Sequence, residues 1–363
     1  MAVPLISGAS QFGLQIGTDS ARGHRYALRE KLGSGSFGVV YLARDQTRNI
    51  DVAIKLVTIT IPAQLQPPDD SRSMAIARLN KGLADAEKEA NLLGKLRHPY
   101  VIGYLDSYKF QTDELVGVGI VMEYCPGGNL NSYLLRNGRP REELRLQWCR
   151  ELAEGMEFVH SQGVIHRDLK PDNILIDSDN CLKIADVGVA KAAWDMQENA
   201  LSGQCATGMH LNQYLSSVVG TAMYIAPEVL SGHYTKACDV FSLGIVFVAI
   251  IKAPVTGNIL APYADWQGCL MCYGHLLHSD FLSQRWPPSA LLQLSIATDG
   301  ERHLIDRMLK FYPDDRYIME TVLSTLQRLQ DIQRMEALQA HNQYPREVVP
   351  ANQPYTGTHD KLC

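Results

Sequence analysis

Val164-Ile165-His166-Arg167-Asp168-Leu169-Lys170-Pro171-Asp172-Asn173-Ile174-Leu175, the stretch VIHRDLKPDNIL, decides how the rest of the chain is read. It gathers three kinds of chemistry in one short segment. Asp168 can accept a hydroxyl proton or orient the hydroxyl. Lys170 can neutralise charge on a phosphoryl group in transit, and Asn173 offers an oxygen to magnesium, a hard cation.

Just downstream lies KIADVGVAK, Lys183 to Lys191. Asp186 stands there between an apolar run and a glycine, where a chain can turn sharply and hold a metal. Upstream, Gly33-Ser34-Gly35-Ser36-Phe37-Gly38 separates Leu32 from Val39-Val40-Tyr41-Leu42, which reads as strand, glycine turn, strand. Three glycines let backbone N–H groups approach a phosphate, although a structural hairpin explains the same run. A dinucleotide fingerprint would want a helix next, whereas β-branched residues follow. Val52-Ala53-Ile54-Lys55-Leu56-Val57 is a further strand, and its Lys55 is either a phosphate ligand or a solvated strand lysine. Glu89 could pair with Lys55 from a helix expected over 75–96, or could belong with Asp85 and Glu87 to a solvated face.

The order of these motifs resembles that of the eukaryotic protein kinases from about residue 26 to 330, and GTAMYIAPE at 220–228 extends the match. Asp239-Val240-Phe241-Ser242-Leu243-Gly244 resembles the family's helix opening that braces the catalytic loop, with Phe241 in place of the usual tryptophan. Arg316 matches the arginine that pairs with the glutamate of APE, here Glu228. The resemblance implies an α+β, bilobal fold with a β-rich small lobe over 26–124 and a helical large lobe over 125–330. Residues 1–25 are expected to be a loose lead-in and 331–363 a polar tail.

The resemblance implies ATP and Mg2+ as cofactors and protein Ser/Thr hydroxyls as acceptors, because Lys170 and the GTAMYIAPE segment resemble Ser/Thr kinases. Catalysis would fall to Asp168, Lys170, Lys55 and Glu89, with Asn173 and Asp186 holding the metal. Nucleotide contacts would come from Leu32, Gly33, Ser34, Gly35, Ser36, Phe37 and Gly38. Val40 and Ala53 would pack over adenine, Met122 would control the back pocket, and backbone groups of Glu123 and Cys125 would hold the base. Arg167, with Lys191 nearby, would meet a phosphate on the activation segment. Ser217 and then Ser216 are its candidates, put there by an activating kinase or by autophosphorylation, though both also read as plain loop serines. Thr221 would position Asp168 and Lys170. The DVFSLGIV helix and HRDLKPDN loop are faintly similar to the kinases that interact with PDZ-LIM proteins, and less so to the NimA-related group; both motifs are shared across subgroups.

Val187 stands where the family has phenylalanine, a packing residue that does not bind metal. Replacing it with valine costs roughly 1–3 kcal/mol of packing and leaves the metal ligand Asp186 in place. An active enzyme is therefore expected, and a pseudokinase scaffold that binds nucleotide without efficient transfer is the alternative.

Bulk composition agrees with a folded catalytic domain. The 363 residues are 46% hydrophobic and 20% charged. The net charge of -5 supplies no basic field for nucleic acid. The eight cysteines lack a disulfide spacing and are expected to be reduced, in a cytoplasmic or nuclear protein. Cys269 and Cys272 form a CxxC with no convincing second ligand pair. No signal peptide is expected, and the apolar run Leu243 to Ile251 is too short to span a bilayer, so no membrane role is expected.

Overall fold

The computed structural model describes residues 15–16, 25–35, 38–60, 84, 90–111, 115–187, 224–231, 235–252 and 297–343. Within them the chain forms two lobes. The first is an antiparallel sheet of β1 (Gln15–Ile16), β2 (Tyr26–Gly35), β3 (Gly38–Asp45), β4 (Ile50–Thr60), β5 (Tyr104–Gln111) and β6 (Leu115–Glu123), ordered β1-β2-β3-β4-β6-β5. The expected strands at 39–42 and 52–57 fall within β3 and β4.

Strand periodicity gives this sheet two faces. Tyr41 and Ala43 of β3, Val52, Ile54 and Leu56 of β4 and Val121 of β6 turn to one side. There they close a small core with Tyr26 and Tyr108. Tyr26 stacks on Tyr108 at 5.8 Å, and its hydroxyl donates to Asp106 Oδ2 at 3.0 Å. The alternate residues Val40, Leu42, Ala53, Lys55, Ile120 and Met122 share the other side, because Val40 pairs with Lys55, Ala53 with Met122 and Lys55 with Ile120. β5 went unanticipated because a buried carboxylate, Asp106, sits where its alternation calls for an apolar residue.

The second lobe is mainly helical. Its helices are α1 (Leu130–Asn137), α2 (Glu142–Ser161), α3 (Lys236–Lys252), α4 (Asp299–Met308) and α5 (Met319–Gln343). Asn129 caps α1 by accepting from Ser132 N–H at 2.8 Å, and Gly138 ends it with φ 71°, a left-handed conformation open to glycine. Thr298 and Glu301 close α4 with a reciprocal capping box. α3 is apolar on all sides from Val240 to Ile251 and is buried throughout that span, which makes it the lobe's central post. α2 lies against α3 and α5. α5 runs on past residue 330, where the end of the domain was expected, to Gln343. Among the described residues no helix is long and apolar enough to cross a membrane.

Also in the second lobe, β7 (Gly128–Asn129), β8 (Ile174–Ile176) and β9 (Leu182–Ile184) form a small sheet packed on α1 and α2. β8 and β9 bracket the turn at 177–181, while the VIHRDLKPDNIL stretch leads into β8. Asp168 and Asp186 are thus carried to one edge by the same pair of strands.

Candidate active site

Asp239, at the start of α3, organises the loop. Its Oδ2 accepts from His166 N–H at 2.7 Å, its Oδ1 from Arg167 N–H at 2.8 Å, and Oδ2 also bonds His160 Nε2 at 2.8 Å. The side chain is fully buried. Burial alone would raise its carboxyl; the hydrogen bond and charge of His160 and the Arg167 N–H outweigh that and hold it below the usual carboxylate range. With both N–H groups fixed, Arg167 adopts φ 67°, uncommon for a residue with a side chain.

His166 extends the same wiring. Its Nδ1 accepts from Asp168 N–H at 3.3 Å and its Nε2 bonds the Ala185 carbonyl at 2.9 Å. A carbonyl can only accept, so this pattern selects the neutral Nε2–H tautomer. The ring ties the segment carrying Asp168 to the one carrying Asp186. Ala185 N–H, donating to Asn173 O at 2.8 Å, makes the second tie.

Asp168 is then surrounded. Lys170 Nζ reaches its two oxygens at 3.0 and 2.8 Å. Asn173 Nδ2 donates to its backbone carbonyl at 2.8 Å and to Oδ2 at 2.9 Å. Because the Asn173 amide nitrogen is used on Asp168, its oxygen is the end turned away and available to a hard cation. Asp186 has φ 58° and a side chain 42% exposed, and its Oδ1 accepts from Lys55 Nζ at 3.0 Å. Its second oxygen and the Asn173 oxygen are hard donors of the kind magnesium takes, so the residue types fit that ion. Val187 is fully buried in the large core, so its side chain packs and takes no part in the polar cluster.

The remaining candidates lie along the small lobe. Val40, Ala53 and Met122 share the face that carries Lys55, and Leu32 on β2 is 42% exposed. In the glycine turn, Gly38 has φ 145°, and a Cβ there would strike the Leu56 carbonyl, so glycine is required. Nothing lies within 4 Å of the place a Cβ would take on Gly33. Ser34 and Gly35 end β2. Cys125 is buried, which, with nearby Glu123, pushes its thiol up to about 12 and leaves it protonated. Glu123 N–H donates to Gly103 O at 2.9 Å and is thereby engaged within the protein. Ser36, Phe37, Glu89, Lys191, Ser216, Ser217, Thr221 and the Cys269–Cys272 pair lie outside the described residues.

Arg316 grips Glu228 through two bonds, of 2.6 and 2.8 Å. It also donates to the carbonyls of Lys310, Ala237 and Phe311, and its guanidinium lies 5.0 Å from the centre of the Phe241 ring. Phe241 therefore serves the packing role of the larger indole. Ser242 Oγ donates to Tyr224 O at 2.7 Å, which joins α3 to the segment before Glu228.

Sequence reasoning missed four polar links. The Glu123 carboxylate accepts from Gly103 N–H at 2.6 Å and from Lys183 Nζ at 3.1 Å. Arg145 and Glu301 form a buried bidentate pair across 156 positions. Glu151 accepts from Leu182 N–H at 2.8 Å. None shows a local spacing, because each partner comes from a distant element. The four cysteines among the described residues, Cys125, Cys149, Cys181 and Cys238, are free thiols.

Comparison with known proteins places this site in context. The family model of the protein kinase domain matches residues 26–326. The chain is 27% identical over 304 residues to CBL-interacting serine/threonine-protein kinase 19 of Arabidopsis thaliana, covering 83% of this chain and 52% of that protein. It is 30% identical over 261 residues to serine/threonine-protein kinase ATG1b of the same plant, covering 70% and 30%. It is 34% identical over 250 residues to MAP kinase kinase kinase SSK2 of Saccharomyces cerevisiae, covering 62% and 15%. The chain spans about half the length of the CBL-interacting relatives it matches. These relatives carry several group names, and no subgroup is singled out.

Proposed function

The chain belongs to the protein kinase domain family, and from that premise we propose that it transfers the γ-phosphoryl group of ATP to Ser or Thr hydroxyls of proteins. The observation that carries this reading is Asp168 held between Lys170 and Asn173, with Asp186 on Lys55 nearby. The acceptor hydroxyl oxygen forms a bond to the γ-phosphorus, the bond from that phosphorus to the β,γ-bridging oxygen breaks, and ADP leaves. Asp168 orients the hydroxyl and takes its proton. Lys170 balances charge on the group in flight, and Lys55 binds the nucleotide phosphates, with Glu89 assigned to hold it. Asn173 and Asp186 would hold magnesium, which would supply charge neutralisation on the phosphates. The chain's own contribution is positioning and fixed charge.

Adenine is assigned to the face formed by Leu32, Val40, Ala53 and Met122 and to the backbone of Glu123 and Cys125. The turn from Gly33 to Gly38 is assigned to the phosphates. For the Ser/Thr preference the support is Lys170 and the similarity to serine/threonine-protein kinases. Control by phosphorylation at Ser217 or Ser216, read by Arg167, is part of the proposal, as is an activating kinase or autophosphorylation. The proposed site of action is the cytoplasm or nucleus, supported by the free thiols. A scaffold that binds nucleotide without transfer is favoured by Val187 alone, and Val187 lies in the core, not among the polar groups.

Phosphoamino-acid analysis after incubation with labelled ATP, Mg2+ and a generic basic protein tests the reading. Phosphoserine and phosphothreonine are expected. Phosphotyrosine alone, or label only on small molecules, would overturn it.

A further inference from the structure

A second cleft, of about 560 Å3, lies apart from the catalytic residues: Lys55, Asp168, Asn173 and Asp186 are absent from its lining. Its walls come from both lobes. Arg48 belongs to the turn between β3 and β4, Arg97 to the segment before β5, and Lys183 to β9. Tyr104 and Leu105 give it most of its apolar surface; Val101, also in the lining, is 1% exposed.

The charges are unbalanced. Three cations, Arg48, Arg97 and Lys183, line the cleft with one carboxylate, Glu123. That carboxylate is already engaged, by Gly103 N–H at 2.6 Å and Lys183 Nζ at 3.1 Å. The Asp45 carboxylate near Arg48 is 3.9 Å from its guanidinium, and it spends Oδ1 on the backbone N–H groups of Thr47 and Arg48. Arg97 is exposed and forms no ion pair among the described residues. His98, also in the lining, accepts from Tyr100 N–H through Nδ1 at 3.3 Å and stacks on Phe158. Its burial lowers its pKa, so it adds no charge at neutral pH.

Two guanidiniums without strong acidic partners beside an apolar wall ask for a ligand with both properties. We propose that this cleft docks an acidic peptide segment of a partner protein, its carboxylates on Arg48 and Arg97 and one apolar side chain on Tyr104 and Leu105. Guanidinium matches carboxylate geometry in two-point contacts. The volume falls in the range of ligand clefts, and a bare anion would leave the apolar wall unused.

Fluorescence anisotropy on the full chain tests this, with saturating ADP and Mg2+ present and a fluorescein-labelled Glu-Asp-Glu-Phe-Asp-Glu peptide as probe. Saturable binding is expected, weakening as salt rises. Arg97→Glu with Arg48→Gln, which puts no second negative charge beside the buried Asp45 carboxylate, should weaken it roughly tenfold or more while ADP with Mg2+ still raises the melting temperature. A Phe-to-Ser probe should also bind less tightly. The control pair Arg328→Glu and Arg334→Glu, on the exposed part of α5, should leave binding unchanged. No saturable binding, or equal loss in the control pair, overturns the site. Displacement by inorganic phosphate at concentrations equal to the peptide assigns it to a free anion and overturns the peptide.

Discussion

The catalytic loop, residues 164–176, and the small-lobe sheet meet through Lys55 and Asp186, yet they hold their polar groups differently. In the loop, Asp239 fixes two consecutive N–H groups, His166 bridges to Ala185, and Asp168 has both neighbours within 3.0 Å. In the sheet, the face that carries Lys55 is otherwise apolar: Val40, Leu42, Ala53, Ile120 and Met122. One region presets charges where a reaction would occur. The other presents a surface on which a flat ligand can lie. Changes in the loop should therefore strike turnover or folding, whereas changes on the sheet face should strike nucleotide affinity.

The largest effect expected is at the junction. Asp186→Ala removes the Lys55 partner and one of the two proposed metal oxygens, so phosphotransfer should fall roughly a thousandfold or more. Val40→Ala, read in the same assay, should mainly raise the KM for ATP. Equal losses of kcat in both variants would break the division. Next is Asp239→Asn, which takes charge from a buried group bonded three ways; urea unfolding should show a loss of about 3 kcal/mol. Arg316→Lys cannot keep both bonds to Glu228 and should cost about 2 kcal/mol in the same measurement.

Val187→Phe is expected to cost about 1–2 kcal/mol, because the valine is fully buried in a packed core and phenylalanine must displace neighbours. A stabilised variant would show instead that the core there has room. The smallest effect concerns acid. Asp239 is held below its ordinary value of 3.8, so its stabilisation is present above that pH and is lost as pH falls through the lowered folded value. Urea midpoints taken from pH 6 down to pH 3 should fall less steeply in Asp239→Asn than in the wild type.

The two regions also differed in how much the sequence told. The loop's residues are contiguous, so their chemistry could be read before any fold was known. Lys55 was legible as a lysine on an apolar strand. β5 was not, since Asp106 breaks the apolar alternation and finds its partner, Tyr26, 80 positions away. The Glu123–Lys183 and Arg145–Glu301 pairs stayed hidden for the same reason: tertiary contacts leave no spacing in one sequence. Val187 showed the reverse. The sequence marked it as odd, and only its burial shows that it serves packing.

The most direct test measures ATP binding and phosphotransfer separately, in the wild type and in Asp168→Ala. The account predicts that ATP with Mg2+ raises the melting temperature of both proteins, while labelled phosphate reaches a protein substrate only with the wild type. A wild type that binds ATP yet transfers nothing, with or without an added activating kinase, would contradict it and leave a nucleotide-binding scaffold in its place.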